Sequence, residues 1–157
     1  MTTLIETQLK NFTSVHDVSD VNVLVKEALQ LKKNPFAFYS LGKNKTLGLM
    51  FLNPSLRTRL STQKAALNLG MNVIVMNIDK EGWTLEMQDG VIMNGTTIEH
   101  IKEAAAVMGQ YCDIIGIRCF PGLKDKEEDY NEVVLNKFIA YCGVPIVSLE
   151  SALHIHC

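Results

Sequence analysis

Residues 46–59 read TLGLMFLNPSLRTR, and this stretch decides the fold class. Residues 46–52 form a short, mostly apolar run of the length found in strands that are buried on both faces of a sheet. Asn53 and Pro54 end that run, and a helical pattern follows from Arg57 to Leu69 and stops at Gly70, glycine being the usual residue just beyond a helix end. A buried strand, a short polar loop and a helix together are typical of the repeating unit of parallel α/β domains.

The same alternation continues along the rest of the chain. Runs of β-branched and apolar residues at 72–78 (NVIVMNI), 113–120 (DIIGIRCF) and 145–149 (PIVSL) predict three further strands. Helical spacing of apolar residues predicts the helices; the residues are Val21, Leu24, Val25, Ala28 and Leu29, then Ile98, Ile101, Ala105 and Met108, and finally Val134, Phe138 and Tyr141. The sequence therefore predicts an α/β fold, a single domain with a parallel sheet of about four strands and helices on both faces.

The composition narrows the classes of function. The 157 residues are 47% hydrophobic and 20% charged, the balance of an ordinary globular protein. The net charge of -2 implies no basic face, so nucleic acid is not expected as a partner. No apolar run approaches the ~20 residues that span a bilayer, and the first residues lack a signal-peptide layout. We therefore expect no membrane partner and a cytoplasmic location.

The four cysteines match neither a CxxC nor a zinc pattern. Cys112 and Cys142 lie in apolar sequence and are predicted to be buried thiols. Residues 154–157 (HIHC) bring two histidines and a cysteine together, but no second ligand pair accompanies them. An accidental cluster is therefore favoured over a metal site.

Polar residues collect where the predicted strands end. In open α/β sheets, ligands bind beyond the carboxyl ends of the strands. The first strand is followed by residues 55–59 (SLRTR), and the third ends at Arg118. The second leads to Trp83, the only tryptophan, and the fourth ends at Glu150. Hydroxyls, arginines, an indole and a carboxylate are thus expected at one edge of the sheet.

The first of these loops suits an anion. Ser55 is placed to cap the following helix, whose free N–H groups and dipole attract negative charge. Arg57 adds planar donors that match phosphate oxygens. The chain contains neither GxxxxGK[ST] nor GxGxxG, so a nucleotide site has no motif support. The local pattern is also open to a plain helix cap with arginines on a solvated face.

Three other residues at this edge have two interpretations each. Arg118, at the end of an apolar strand, is either half of a structural ion pair or an anion ligand. Trp83 is either core filler or an exposed ring in a polar loop. Glu150 is either a cap for the segment that follows or a site residue.

Residues 51–59 (FLNPSLRTR) resemble the carbamoyl-phosphate signature F-x-x-x-S-x-R-T-R of the transcarbamylases, the aspartate and ornithine carbamoyltransferases. The resemblance covers nearly the whole chain and looks most like the branch that acts on N-acetyl- or N-succinylornithine. It implies carbamoyl transfer from carbamoyl phosphate to the δ-amine of an N-acylornithine in arginine biosynthesis, without metal or organic cofactor, in a homotrimer. The other matching segments are 63–73 (QKAALNLGMNV), Gly82-Trp83, 90–95 (GVIMNG) and 115–118 (IGIR).

The resemblance also implies residue roles. Arg57 and Arg118 would be catalytic, Arg118 near the carbonyl oxygen of carbamoyl phosphate. Trp83 would reach the carbamoyl phosphate site of a neighbouring subunit, and Glu150 would contact the ornithine derivative. The phosphate itself would be held by Ser55, Leu56 (through its backbone), Arg57 and Thr58.

Ile98 bears on substrate choice. Family members selective for acetylornithine resemble residues 94–100 (NGTTIEH) but carry glutamate where Ile98 stands, and succinylornithine members carry an uncharged residue. A glutamate there would repel a succinyl carboxylate, so Ile98 is expected to lie at the amino-acid substrate and to favour N-succinylornithine.

The resemblance implies a longer protein. Residues 1–150 would be the carbamoyl-phosphate-binding domain, residues 151–157 a divergent tail without the family's H-P-x-Q, and the second, amino-acid-binding domain would be absent. The chain alone is therefore expected to be inactive. Two alternatives stay open: a non-catalytic anion-binding or assembly module, and an aspartate or plain ornithine transcarbamylase.

Overall fold

A computed structural model describes residues 10–78, 83–120 and 126–153 of the chain. Within these ranges, none of the helices has both the length and the hydropathy that crossing a membrane requires. The elements in chain order are a 3-10 helix at Val15–Asp17, α1 Val21–Lys33, β1 Thr46–Phe51, α2 Leu56–Asn68, β2 Asn72–Asn77, β3 Leu85–Glu86, β4 Glu99–His100, α3 Ile101–Tyr111, β5 Ile114–Arg118, α4 Lys126–Tyr130, α5 Val133–Tyr141 and β6 Ile146–Glu150.

Four strands form one parallel sheet in the order β2-β1-β5-β6. This confirms the predicted fold class, since β1 lies inside the sheet and pairs with β2 on one side and β5 on the other. The N-terminal segment adds a parallel bridge outside β6, where the Phe12 N–H donates to Ile146 O (2.8 Å) and the Ser148 N–H donates to Phe12 O (2.9 Å). The ends of β1, β5 and β6 therefore lie side by side at one edge.

Each face of the sheet carries its own apolar cluster. On one face, Met50 and Ile115 pack with buried residues of α3 and α5. On the other, Leu49 and Phe51 pack with Ala66 of α2. Successive residues of β1 alternate between the two clusters because strand side chains point to opposite faces. Helices cover both faces, as predicted.

Helix α1 forms where its periodicity predicted it, but none of its residues is buried. Asp20 caps its start by accepting the N–H groups of residues 22 and 23, and the helix ends before Asn34. Four residues of its apolar stripe are between 37% and 53% exposed, namely Val21, Leu24, Val25 and Leu29, and the fifth, Ala28, is exposed as well. Periodicity therefore identified the helix correctly, whereas the expected burial of its stripe is absent from the described part of the chain.

The helical stripe predicted from Ile98 to Met108 was wrong at its first member. α3 begins at Ile101, and Ile98 lies before β4 with 63% of its surface exposed. β3 and β4 pair in parallel as a separate ladder, with Leu85 opposite Glu99 and Glu86 opposite His100. The sequence did not predict this ladder because strands of two residues are too short to show a period.

The described cysteines, Cys112, Cys119 and Cys142, are buried and free. This confirms the prediction for Cys112 and Cys142, which lie in the cluster of α3, α5 and β5. The predicted accidental cluster at residues 154–157 lies outside the described residues.

Candidate anion-binding site at the carboxyl edge of the sheet

The loop between β1 and α2 ends in a capped helix start. Ser55 is the N-cap residue, and its Oγ accepts a hydrogen bond from the Thr58 N–H at 3.3 Å. The Ser55 hydroxyl also donates to Thr58 Oγ1 at 2.9 Å, and Thr58 is only 2% exposed. The predicted cap is confirmed, and the paired hydroxyls fix the first turn of α2 against the end of β1.

This first turn presents N–H groups that have no acceptor inside the helix. Intrahelical bonding begins at the Arg59 N–H, which donates to Ser55 O at 3.2 Å, so the N–H groups of Leu56 and Arg57 precede it. Leu56 is 74% exposed and Arg57 is also exposed. With the helix dipole behind them, these N–H groups and the Arg57 guanidinium are suited to an anion.

Arg118 ends β5 with a nearly buried side chain, 7% exposed. Its Nε and Nη2 both donate to Glu150 Oε2, at 3.2 and 3.0 Å. Its Nη1 donates to the carbonyl oxygens of Asn53 (3.0 Å) and Pro54 (3.1 Å). The guanidinium also lies over the Phe120 ring, 3.9 Å from the ring centre. The structural ion pair is thus confirmed as one of the two interpretations of Arg118.

The same contacts leave room for a ligand. A guanidinium has five N–H groups, and the contacts with Glu150, Asn53 and Pro54 use up to four of them. One Nη2 N–H therefore has no assigned acceptor among the described residues. Arg118 joins the end of β5, the loop before α2 and the end of β6, so that remaining donor lies at the junction of three strand ends.

Glu150 belongs to the same junction through its pair with Arg118. Its side chain is 26% exposed, and both contacts with Arg118 run through the single oxygen Oε2. The paired arrangement offsets part of the cost of placing Arg118 in an almost buried position. The second carboxylate oxygen, Oε1, takes no part in that pair.

Asn53 belongs to the same junction, although its place in the sequence indicated only the end of a strand. Its Oδ1 accepts the Phe120 N–H at 2.7 Å, while its carbonyl accepts from Arg118. The side chain and the backbone of one residue thus brace the loop before α2 against the exit of β5. An asparagine directly before Pro54 was the available signal, since such pairs often mark turns that are fixed by side-chain hydrogen bonds.

A second group of predicted site residues lies on the β3–β4 ladder. The Ile98 N–H donates to Thr84 O at 3.0 Å, which brings Ile98 beside the residue that follows Trp83. The Trp83 indole Nε1 donates to Glu99 Oε2 at 3.0 Å, and the partly buried ring packs against the cluster of α3 and β5. Trp83 is thus neither fully core nor free in solvent, and the residue that follows it is bonded to the Ile98 backbone.

Charged residues anchor the loop between β3 and β4. Asp89 Oδ1 lies 3.1 Å from Lys102 Nζ on α3 and 3.1 Å from Lys137 Nζ on α5. The hydrogen bond from Lys102, followed by that from Lys137, lowers the pKa of Asp89 below its ordinary value. His100 Nε2 is also bonded to Gln88 O at 2.8 Å. The loop that carries Ile98 is therefore tied to two helices.

Cys119 lies directly after Arg118 but is not a candidate nucleophile. Burial raises the pKa of its thiol to about 11, with a smaller contribution from the nearby Glu132 carboxylate. Because the thiolate is the reactive form, this cysteine is inert near neutral pH. The chemistry of the edge therefore rests on arginines, hydroxyls, N–H groups and Glu150.

The chain matches a known domain family over most of its length. Residues 10–156 match the family described as "Aspartate/ornithine carbamoyltransferase, carbamoyl-P binding domain". The N-succinylornithine carbamoyltransferase of Bacteroides fragilis (strain 638R) is 54% identical over 144 residues, which are 92% of this chain and 45% of that protein. The N-acetylornithine carbamoyltransferase of Xylella fastidiosa (strain Temecula1) is 38% identical over 148 residues, which are 93% of this chain and 44% of that protein.

Solved structures agree with these sequence matches. A structure of acetylornithine transcarbamylase complexed with acetylcitrulline has 37% identity and a TM-score of 0.83, over 90% of this chain and 42% of that one. With the same identity, coverage and TM-score, variants of N-acetyl-L-ornithine transcarbamylase in which a glutamate is replaced by valine, serine, alanine or proline are complexed with carbamyl phosphate and N-succinyl-L-norvaline. The chain spans less than half the length of the relatives it matches. It belongs to the aspartate/ornithine carbamoyltransferase family, whose named members are enzymes, and it corresponds to the carbamoyl-phosphate-binding domain.

Proposed function

We propose that this chain is the carbamoyl-phosphate-binding part of a carbamoyltransferase that acts on an N-acylated ornithine, with N-succinylornithine as the favoured substrate. One observation carries the proposal: the capped N-terminus of α2, with Arg57 exposed on it, adjoins a buried Arg118 that is tied to the carbonyls of Asn53 and Pro54. This arrangement suits a small ligand with a phosphate at one end and a carbonyl oxygen at the other.

The residues have distinct roles in this proposal. Ser55, Thr58 and the Leu56 N–H hold the phosphate with Arg57, and the remaining Arg118 N–H meets the carbonyl oxygen. The δ-amine nitrogen attacks the carbamoyl carbon, the bond from that carbon to the phosphate oxygen breaks, and the nitrogen loses a proton. Inorganic phosphate leaves with the bonding electron pair. Arg57 and Arg118 stabilise the charge that develops on the two oxygens, and removing such a donor typically costs about a hundred- to a thousandfold in rate.

Substrate choice is assigned to the β3–β4 ladder. Ile98 is 63% exposed and uncharged, so it offers no repulsion to a succinyl carboxylate. The relative that is 54% identical is named an N-succinylornithine carbamoyltransferase. The solved transcarbamylase variants that lack one glutamate and are complexed with N-succinyl-L-norvaline are in line with this assignment. Glu150, through the carboxylate oxygen outside the Arg118 pair, is proposed to contact the ornithine derivative.

The proposal extends to the whole protein. Residues 1–150 form the carbamoyl-phosphate-binding domain and residues 151–157 a divergent tail. The protein is a cytoplasmic homotrimer in which Trp83 reaches a neighbouring subunit. Turnover in arginine biosynthesis needs an amino-acid-binding half in addition to this chain. Relatives more than twice as long support this division.

Calorimetric titration of the purified chain with carbamoyl phosphate tests the proposed site. We expect heat from the parent and at least a tenfold weaker association for Arg57→Ala, because charge-assisted hydrogen bonds to phosphate are among the strong ones. Lys64→Ala is the matched control, since Lys64 is an exposed cation on the same helix about 10 Å further along. Equal binding by the parent and Arg57→Ala, or no binding by a folded parent, would contradict the proposal.

The second candidate is a non-catalytic anion-binding or assembly module. It is favoured by the N–H groups in the first turn of α2, because such groups can donate hydrogen bonds to any small anion. Titration with inorganic phosphate, and addition of the C-terminal half of a full-length relative, separate the two. Tighter binding of carbamoyl phosphate than of phosphate, with citrulline-derivative formation after mixing, supports the enzyme. Equal binding of both anions without turnover supports the module.

A further inference from the structure

Trp83 is held by a carboxylate that no sequence pattern singled out. Glu99 Oε2 accepts the indole N–H at 3.0 Å, across a separation of 16 residues in the chain. An N–H donor that meets a carboxylate forms a charge-assisted hydrogen bond, which is stronger and more directional than a neutral one. The contact therefore fixes the direction of the indole ring as well as its distance.

The backbone reinforces this contact. Glu99 lies opposite Leu85 in the β3–β4 ladder, and its N–H faces Thr84 O at 3.4 Å. The next residue, His100, caps α3 through the Lys102 N–H. Glu99 is therefore held at a fixed point between the ladder and a helix whose first residue, Ile101, is fully buried.

Ile98 and Trp83 both lie next to the ladder that contains Glu99. Ile98 immediately precedes Glu99 in sequence, and the Ile98 N–H donates to the carbonyl of Thr84, which follows Trp83. A change in the Glu99 side chain would release the indole, whereas the backbone bonds of the ladder would persist. The orientation of Trp83 thus depends on one side chain, and its proximity to Ile98 depends on the ladder.

We propose that Glu99 is a positioning residue whose carboxylate sets the orientation of the Trp83 indole, next to the ladder whose backbone also holds Ile98. The functional part of this inference rests on the proposed function, because that proposal assigns Trp83 and Ile98 to substrate sites. The positioning part concerns the chain itself and is measurable without any ligand.

Tryptophan fluorescence tests the inference directly, since Trp83 is the only tryptophan in the chain. We expect Glu99→Ala to shift the emission to longer wavelength and to steepen quenching by acrylamide, because the freed indole turns toward water. Glu99→Gln keeps a carbonyl oxygen at nearly the same position and is expected to preserve the parent emission. Glu103→Ala is the matched control: its carboxylate, 65% exposed on the neighbouring turn, approaches His100 instead of the indole.

Parent-like emission and quenching in a folded Glu99→Ala chain would overturn the inference. If that variant does not fold, Glu99→Asp tests the role of Glu99 instead. Its shortened carboxylate should make acrylamide quenching of Trp83 steeper than in the parent, and an unchanged slope would overturn the proposal. Failure of the proposed function appears separately, as absence of carbamoyl phosphate heat in a folded parent chain. The emission of Trp83 is measured without ligand and decides the role of Glu99 in either case.

Discussion

Arg118 meets two requirements with one side chain, because it closes the carboxyl edge of the sheet and supplies the donor proposed for the carbonyl oxygen. The local sequence left its two interpretations open, and the structure shows an ion pair that leaves one Nη2 N–H without an assigned acceptor among the described residues. The pairing with Glu150 spans 32 residues, and the bonds to Asn53 and Pro54 span 65 and 64. Local sequence carries no information about contacts at such separations.

The Arg118 and Glu150 pair predicts strong energetic coupling. Arg118→Ala should lower the free energy of unfolding by about 3 kcal/mol, because it leaves a partly buried carboxylate without its partner. Glu150→Ala should also destabilise, and the double variant should cost less than the sum of the two. Urea unfolding of the four chains measures this coupling. Additive costs would show that the pair contributes little to the fold.

Substitution of Ile98 is expected to change the substrate preference. In a complete enzyme made by joining residues 1–150 to the second half of a full-length relative, Ile98→Glu should shift preference from succinyl- toward acetylornithine. The physical reason is repulsion between the new carboxylate and the succinyl carboxylate. The ratio of kcat/KM values for the two substrates measures it. Ile98→Gln is the uncharged control, and an unchanged ratio in the glutamate variant would exclude the role of this position.

At the scale of elements, helix positions were predictable and helix environments were not. Apolar spacing identified both α1 and α3, although it placed Ile98 wrongly in α3, yet α1 has no buried residue and α3 has four. Periodicity reports which side chains share a face, and it does not report what lies opposite that face. The β3–β4 ladder, which joins Trp83 to Ile98, escaped prediction because two paired residues show no period.

The contact between α3 and α5 predicts an unusual response to a glycine substitution. A Cβ on Gly109 would overlap the carbonyl oxygen of Cys142, a backbone atom that cannot move aside easily. Gly109→Ala should therefore destabilise the chain, although alanine favours a helix interior by about 1 kcal/mol over glycine. Thermal unfolding tests this, with Gly95→Ala as control because no atom of the described residues lies within 4 Å of its Cβ position. A stabilised Gly109→Ala chain would contradict this packing of the two helices.

At the scale of the whole molecule, two carboxylates tie distant elements together and make stability depend on pH. Asp113 joins β1 to β5 by accepting from Lys45 Nζ and the Thr46 N–H, both at 2.8 Å. The hydrogen bonds from Lys45 and then Thr46 lower the pKa of Asp113 below its ordinary value. The pKa of Asp89 is lowered in the same way by hydrogen bonds from Lys102 and Lys137.

This arrangement predicts acid sensitivity. The folded chain holds both carboxyl pKa values below their unfolded value of 3.8, so the stabilisation is present above that pH. It is lost as the pH falls through the folded pKa values. Thermal unfolding from pH 7 to pH 2 should show that the deficit of Asp113→Asn relative to the parent shrinks on acidification. A deficit that stays constant across this range would rule out the linkage.

The sequence by itself determined the α/β class, the four strands of the parallel sheet, the cap at Ser55 and the family, because strand runs, cap residues and the FLNPSLRTR segment are local in the chain. Only the tertiary structure decided that Arg118 pairs with Glu150, that Asn53 braces Phe120, that Glu99 holds Trp83 and that the stripe of α1 stays exposed. These outcomes depend on strand order and on which helix faces which cluster. Strand order brings residues 16 to 67 positions apart within hydrogen-bonding distance, and no local pattern encodes that approach.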